Sequence, residues 1–307
     1  MANHPPFTVT VGVLALQGAF NEHIQLLRSA RQILATKTKT THDLDIKYNF
    51  IEVRNAIELN SCDALIIPGG ESTAISLVAQ RSGLLEPLRD FVKLHRYPTW
   101  GTCAGLILLS ESANRTKAGG QELIGGLDVR VNRNHFGRQV ESFSADLDLP
   151  FLSSVTPSPS SPSSEKERKE KTAPFQAIFI RAPVVEKLLP HLPGPQISES
   201  KLESTVIAPS RPIDTNNIPN PDSILSAPVE ILATLPGRTA SIPDPQVQEK
   251  LNSESGDIVA VRQANVFGTS FHPELTGDAR IHAWWLEQVI EDVVKRRELK
   301  SSSRLPL

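Results

Sequence analysis

The chain of 307 residues holds only two cysteines, Cys62 and Cys103. Two thiols cannot make a disulfide framework, so the sequence reads as that of a reducing compartment, with the cytoplasm as the expected location. No apolar run approaches the ~18 residues that a membrane-spanning helix needs, and no signal peptide is apparent. Charge of neither sign prevails: 32 basic and 34 acidic residues leave a net charge of −2. That balance lacks the basic footprint of a nucleic-acid or membrane-surface binder.

Apolar residues are also scarce in three internal stretches. Residues 153–174 are Ser/Pro-rich and then carry the charge run Glu165-Lys166-Glu167-Arg168-Lys169-Glu170-Lys171. Residues 190–227 and 238–256 are rich in Pro, Ser, Asn and Asp, with Ile and Leu scattered rather than periodic. Such composition cannot build a core, and all three read as disordered insertions. Their removal leaves roughly 230 residues, enough for one large α/β domain spanning 7–294, with 295–307 as a charged tail.

Within that domain the hydrophobic period alternates between two values. Residues 9–16 form a β-rich run, after which Ile24, Leu27, Ala30 and Leu34 recur at helical spacing. Further strands are predicted at 46–53, 64–67 and 98–100, with helices following 73 and 104. Shorter strands are predicted at 129–131, 177–180, 229–234, 258–263 and 266–271. The two residues Ala264-Asn265 are short enough for a hairpin, and a closing helix runs from Ala279 to about Val294 with Trp284 and Trp285 as core. Strands alternating with helices imply a mostly parallel sheet with helices on both faces, and in such sheets the site lies beyond the carboxyl ends of the strands.

Three motifs fall at those ends. Gly101-Thr102-Cys103-Ala104-Gly105 places a cysteine between glycines, the composition of a strand–turn–helix elbow that presents a nucleophile at a helix's positive end. Cys62, just before a buried strand, reads as core. Far downstream, Thr269-Ser270-Phe271-His272-Pro273-Glu274-Leu275 offers a base and a carboxylate. Residues two apart share a side in extended chain, and Pro273 forbids a continuing helix, so imidazole and carboxylate are expected together at a strand end. Between these, Ala64-Leu65-Ile66-Ile67 runs into Pro68-Gly69-Gly70-Glu71-Ser72-Thr73. That turn reads either as glycine punctuation with Ser72 or Thr73 capping a helix, or as a source of main-chain N–H groups for an oxyanion.

Six blocks occur in an order known from one family: residues 13–23 (Val13-Leu14-Ala15-Leu16-Gln17-Gly18-Ala19-Phe20-Asn21-Glu22-His23), the Pro-Gly-Gly-Glu-Ser-Thr turn, Gly-Thr-Cys-Ala-Gly, Asn134-His135-Phe136-Gly137-Arg138-Gln139, Phe179-Ile180-Arg181-Ala182-Pro183 and Ser270-Phe271-His272-Pro273-Glu274-Leu275. The chain thereby resembles the glutaminase subunits of pyridoxal 5'-phosphate synthase, which are class I glutamine amidotransferases with a flavodoxin-like α/β fold. The resemblance implies hydrolysis of L-glutamine to glutamate and ammonia by a Cys103-His272-Glu274 triad. It implies glutamine binding by Gly70, Glu71, Ser72, Arg138, Ile180 and Arg181, and an oxyanion hole from the N–H groups of Gly70 and Ala104. No metal or cofactor is expected. The implied partner is the synthase (lyase) subunit of vitamin B6 biosynthesis, which accepts the ammonia, with the Gln17-Gly18 turn and the sheet edge near the site as its expected contact region. Two alternatives remain open at this stage: a glutaminase for another pathway, which the Ala-Gly-Leu-Ile after the cysteine disfavours, and a non-catalytic glutamine-binding paralogue, which an intact triad disfavours.

Overall fold

The computed structural model describes residues 7–37, 46–114, 121–133, 142–155, 173–192, 194–202, 204–235 and 257–302. In chain order the elements are β1 (Phe7–Leu14), α1 (Phe20–Lys37), β2 (Ile46–Val53), α2 (Ala56–Asn60), β3 (Ala64–Ile67), α3 (Ser72–Arg81), α4 (Leu85–Arg89), β4 (Thr99–Thr102) and α5 (Ala104–Leu109). There follow β5 (Ser110–Asn114), β6 (Leu127–Asn132), β7 (Ser142–Leu147), β8 (Phe175–Ile180), β9 (Val184–Leu188), α6 (Ile197–Ser200), β10 (Thr205–Ile207) and α7 (Pro221–Leu225). The chain closes with β11 (Glu230–Leu235), β12 (Asp257–Gln263), β13 (Val266–Thr269) and α8 (Arg280–Ser302).

Among the described residues the main sheet has the order β10-β5-β6-β9-β12-β13-β4-β3-β1-β2, with β11 on β12 and a separate β7-β8 pair. From β2 through β1, β3 and β4 to β13 every pairing is parallel. Parallel strands buried on both faces explain the near-continuous apolar runs at 64–67 and 9–14. Ile66 and Trp100 face a core shared with α1 and α8, whereas Leu65, Ile67 and Leu106 face one shared with α3, α4 and α5. The predicted hairpin at Ala264-Asn265 joins β12 to β13 antiparallel, with Ala264 at φ +52°. Trp284 and Trp285 are buried, as expected, and Cys62 is core, its thiol pushed up to about 12 by burial.

Three expectations need correction. Residues 190–227 are not a featureless insertion: they contain α6, β10 and α7, and β10 adds antiparallel to the edge strand β5. Main-chain pairing needs no apolar periodicity, and the segment docks through polar residues that composition counts against it. Glu199, 2% exposed, meets Ser112 Oγ at 3.2 Å, Arg130 Nη1 at 3.4 Å and Lys187 Nζ at 3.5 Å. The charged tail begins later than 295, because α8 continues to Ser302, with Arg296 buried beside Asp292 and donating to the carbonyls of Asn217 and Arg96. Finally, residues 153–155 close a short 3₁₀ turn on a buried Leu152; 156–172 and 236–256 lie outside the described residues.

Candidate active site

Parallel strands β1, β3, β4 and β13 end at one sheet edge, and each delivers one part of the site. Strand β4 passes directly into α5 through Cys103, whose φ of +48° and ψ of −99° no ordinary L-residue adopts without strain. The flanking glycines are required by space. A Cβ on Gly101 would lie 2.8 Å from Leu106 N, and one on Gly105 would overlap the Ile67 carbonyl. The Cys103 amide bonds to Thr269 O at 2.8 Å, fixing the elbow to β13, and the thiol reaches Ile180 O at 4.0 Å. Ala104 is the first residue of α5, so its N–H is among those left without an intrahelical acceptor.

His272 follows β13, and its Nδ1 lies 2.8 Å from Glu274 Oε1. The local backbone differs from the extended one expected: Pro273–Leu275 form a 3₁₀ turn, which a proline at its start favours. Side chains two apart still converge because His272 stands outside that turn as its cap. Burial works against the His272 imidazolium, but hydrogen bonds and charge from Cys103 and Glu274 outweigh it and push the ring up to about 10. Burial likewise disfavours the Glu274 carboxylate, but His23 and then His272 outweigh it and hold the carboxyl below its ordinary range. An imidazole held between a cysteine and a carboxylate can accept the thiol proton when neutral and, once charged, hand it on.

The turn after β3 packs on this pair. A Cβ on Gly69 would collide with the His272 ring, 2.7 Å from Nδ1, so only glycine fits there. The Gly69 carbonyl accepts from Ala19 N at 3.4 Å, and Glu71 N donates to Gln17 Oε1 at 2.8 Å. Carbonyl and N–H of one peptide point oppositely, so the Gly70 N–H faces away from the Gln17-Gly18 turn. Glu71, not Ser72 or Thr73, is the cap of α3, accepting from Thr73 N at 3.0 Å and Ala74 N at 2.6 Å.

Of the residues that the family resemblance implies for glutamine, Gly70, Glu71, Ser72, Ile180 and Arg181 stand around Cys103 or the β3 turn, whereas Arg138 lies outside the described residues. Arg181 has φ +45° and makes no hydrogen bond or ion pair among the described residues. The sequence did not single out Arg133. It stands at the end of β6, five positions before Arg138, and its Nη2 donates to Ser72 Oγ at 3.0 Å and Thr73 Oγ1 at 3.1 Å. Glu71 Oε1 lies 3.9 Å away, and Gln121 Oε1 accepts from the same two hydroxyls. Arg133 stands one residue ahead of the Asn134–Gln139 block, and nothing in the sequence shows that the end of β6 brings it against α3. His23 was equally silent: its helix period marks it as core, and it is 0% exposed behind Glu274.

A cysteine on a strand–helix elbow, with a His-Glu pair following a neighbouring parallel strand, is the arrangement that triad amidohydrolases on α/β sheets use. The chain belongs to the SNO glutamine amidotransferase family, whose sequence profile matches residues 13–209 and 235–291. It is 36% identical over 297 residues to the probable pyridoxal 5'-phosphate synthase subunit PDX2 of Arabidopsis thaliana, an alignment covering 96% of this chain and 91% of that one. It is 34% identical to the pyridoxal 5'-phosphate synthase subunit PdxT of Nocardia farcinica, over 92% of this chain and 87% of that one. A solved glutamine amidotransferase crystal structure superposes with a TM-score of 0.54 at 31% identity, covering 91% of this chain and 98% of the other. No helix among the described residues is long and apolar enough to cross a membrane.

Proposed function

We propose that this chain is the glutaminase subunit of a pyridoxal 5'-phosphate synthase, releasing ammonia from L-glutamine for a separate synthase subunit. The Cys103 thiolate attacks the side-chain amide carbon. His272, held by Glu274, gives its proton to the departing nitrogen, and ammonia leaves behind a thioester. Water, deprotonated by the now neutral His272, cleaves the thioester to glutamate and restores the thiol. Each tetrahedral oxyanion is met by the N–H groups of Ala104 and Gly70. One such donor contributes about 3 kcal/mol. Arg133, Arg181 and Arg138 are the cations available to the substrate carboxylate, and Glu71 is a carboxylate for its ammonium.

The observation that carries this reading is the 2.8 Å His272–Glu274 contact beside an elbow cysteine, in a chain whose relatives are named as subunits of that synthase. Two free cysteines, one of which must remain a thiol, support a cytoplasmic site of action, to be checked by fractionation. The function is tested by glutamate release from L-glutamine with the synthase subunit present. Wild-type turnover and none by Cys103→Ala are expected; equal turnover by both would remove Cys103 from the chemistry.

A further inference from the structure

Behind the triad lies a pair of imidazoles that this mechanism does not use. His23, on the first turn of α1, and His282, on the first turn of α8, are both fully buried, with His23 Nδ1 2.9 Å from His282 Nε2. The other nitrogen of His23, Nε2, reaches two places at once. It lies 3.4 Å from Glu274 Oε2 and 3.3 Å from Thr102 Oγ1, the residue before the nucleophile. Glu274 Oε1 is occupied by His272, and Oε2 has no hydrogen bond within ordinary geometry. An ionised carboxylate only accepts, so the one favourable state of His23 puts the proton on Nε2. Its Nδ1 must then accept, which puts the His282 proton on Nε2 as well and leaves His282 Nδ1 bare. That atom is buried without a partner, as this polarity requires. Trp100 packs edge-on against both rings, at 5.6 Å from His23 and 4.8 Å from His282, and holds them apart from solvent.

We infer that His23 is a positioning residue for the reaction: its Nε2–H aims and keeps ionised the Glu274 carboxylate, ties it to the strand end that presents Cys103, and is itself set in that tautomer by His282. The inference rests on the glutaminase reading for its kinetic consequences but not for its proton placement. The groups facing His23 are Glu274 and His272 from the 3₁₀ turn, His282 from α8 and the Thr102 hydroxyl from β4. Burial makes both imidazoles neutral, each lowered to about 3, so neither competes with His272 as a cation. The donor at Glu274 Oε2 therefore stays in place through the whole range in which His272 titrates.

The test has an arm independent of turnover. In ¹⁵N-histidine NMR spectra of the intact chain, two imidazoles are expected as neutral Nε2–H tautomers that do not titrate between pH 5 and 9. His23 carrying its proton on Nδ1, or titrating as a cation in that range, would overturn the inference whatever the enzyme's activity. In glutamate release with the synthase subunit, His23→Leu should lower kcat about 10- to 100-fold, the worth of one hydrogen bond to a charged group, with KM little changed. The acidic limb of its pH profile should move to higher pH, because Glu274 then protonates more readily. His23→Gln, which keeps an N–H at similar reach, should recover most of the rate and the limb. A uniform loss with an unmoved limb and no recovery in His23→Gln would mean a packing role only, and a wild-type profile in folded His23→Leu would also overturn the proposal. Loss of the glutaminase reading itself would appear separately, as turnover by Cys103→Ala.

Discussion

Gly69 shows how closely a single residue governs the site. Its Cα hydrogen occupies the space against which the His272 ring rests, and any Cβ enters that ring. Gly69→Ala is therefore expected to turn the imidazole away from Cys103 while leaving the sheet intact. Misplacement of a catalytic group by ~1 Å costs about 100-fold, so kcat for glutamate release should fall by about that factor; wild-type turnover in the folded variant would refute the packing argument. Arg133 tests binding instead. Arg133→Ala should raise KM for glutamine about 10-fold or more with kcat nearly unchanged, the pattern of a contact made equally in ground and transition states. The glycine-flanked cysteine and the His-Pro-Glu run were legible in sequence because spacing alone carries their chemistry. Arg133 and His23 were not, since their roles depend on where β6 and α1 come to rest.

At the scale of elements, strands with strong two-sided burial were readable to within a few residues. β3 matches its predicted span because a parallel strand covered on both faces leaves an unbroken apolar run; β2, an edge strand of alternating burial, matches through its Ile, Tyr, Phe and Val content instead. The strands β5, β7, β9 and β10 escaped notice. Ser110–Asn114 and Thr205–Ile207 are held by pairing with neighbours rather than by a periodic apolar face, and pairing leaves no local signal. The 190–227 segment follows the same logic, held by polar contacts that include the buried Glu199 carboxylate, Lys93 on Pro209 O and Arg296 on Asn217 O. Glu199→Ala is expected to remove the carboxylate shared by Ser112, Arg130 and Lys187, Arg130 keeping Glu186 at 3.1 Å, and to lower unfolding stability by about 1–3 kcal/mol, read by urea denaturation, with glutamate release at 25 °C preserved. A stability change below that range would mean that β10 pairing and the contacts of Lys93, Arg296 and Arg211 hold the segment without Glu199. The ends flanking 156–172 are both tied to α8, Ser154 Oγ to Glu287 at 3.3 Å and Arg280 Nη1 to Ala173 O at 2.7 Å. From there β8 runs six residues, about 20 Å at ~3.3 Å each, before reaching Cys103 at Ile180. Replacing 156–172 by a short Gly/Ser linker should thus leave turnover unchanged, and a large loss would place that segment in the function.

The whole molecule couples unfolding to proton uptake through its buried histidines. Both His23 and His282 have folded values of about 3 against 6.5 when exposed, so the unfolded chain binds more protons between those limits. Stability should accordingly fall as pH drops from 6.5 towards 3, and Tm measured against pH should flatten over that range in His23→Gln. The Gly69-Gly70-Glu71 turn is latched to the Gln17-Gly18 turn through Ala19 N and Gln17 Oε1, so a partner docking on the latter would act on the turn that carries the Gly70 N–H, a donor proposed for the oxyanion. Better alignment of the Gly70 N–H on docking corresponds to up to roughly 100-fold in turnover, and a rise is expected on adding the synthase subunit. The central claim, that Cys103 releases ammonia for delivery to that subunit, is tested most directly by pyridoxal 5'-phosphate synthesis from amide-¹⁵N glutamine in the presence of unlabelled ammonium. The product should carry mainly ¹⁵N with the wild-type chain and none with Cys103→Ala. Product labelled only in proportion to the bulk ammonium pool, or ¹⁵N incorporation by the Cys103→Ala chain, would contradict the account.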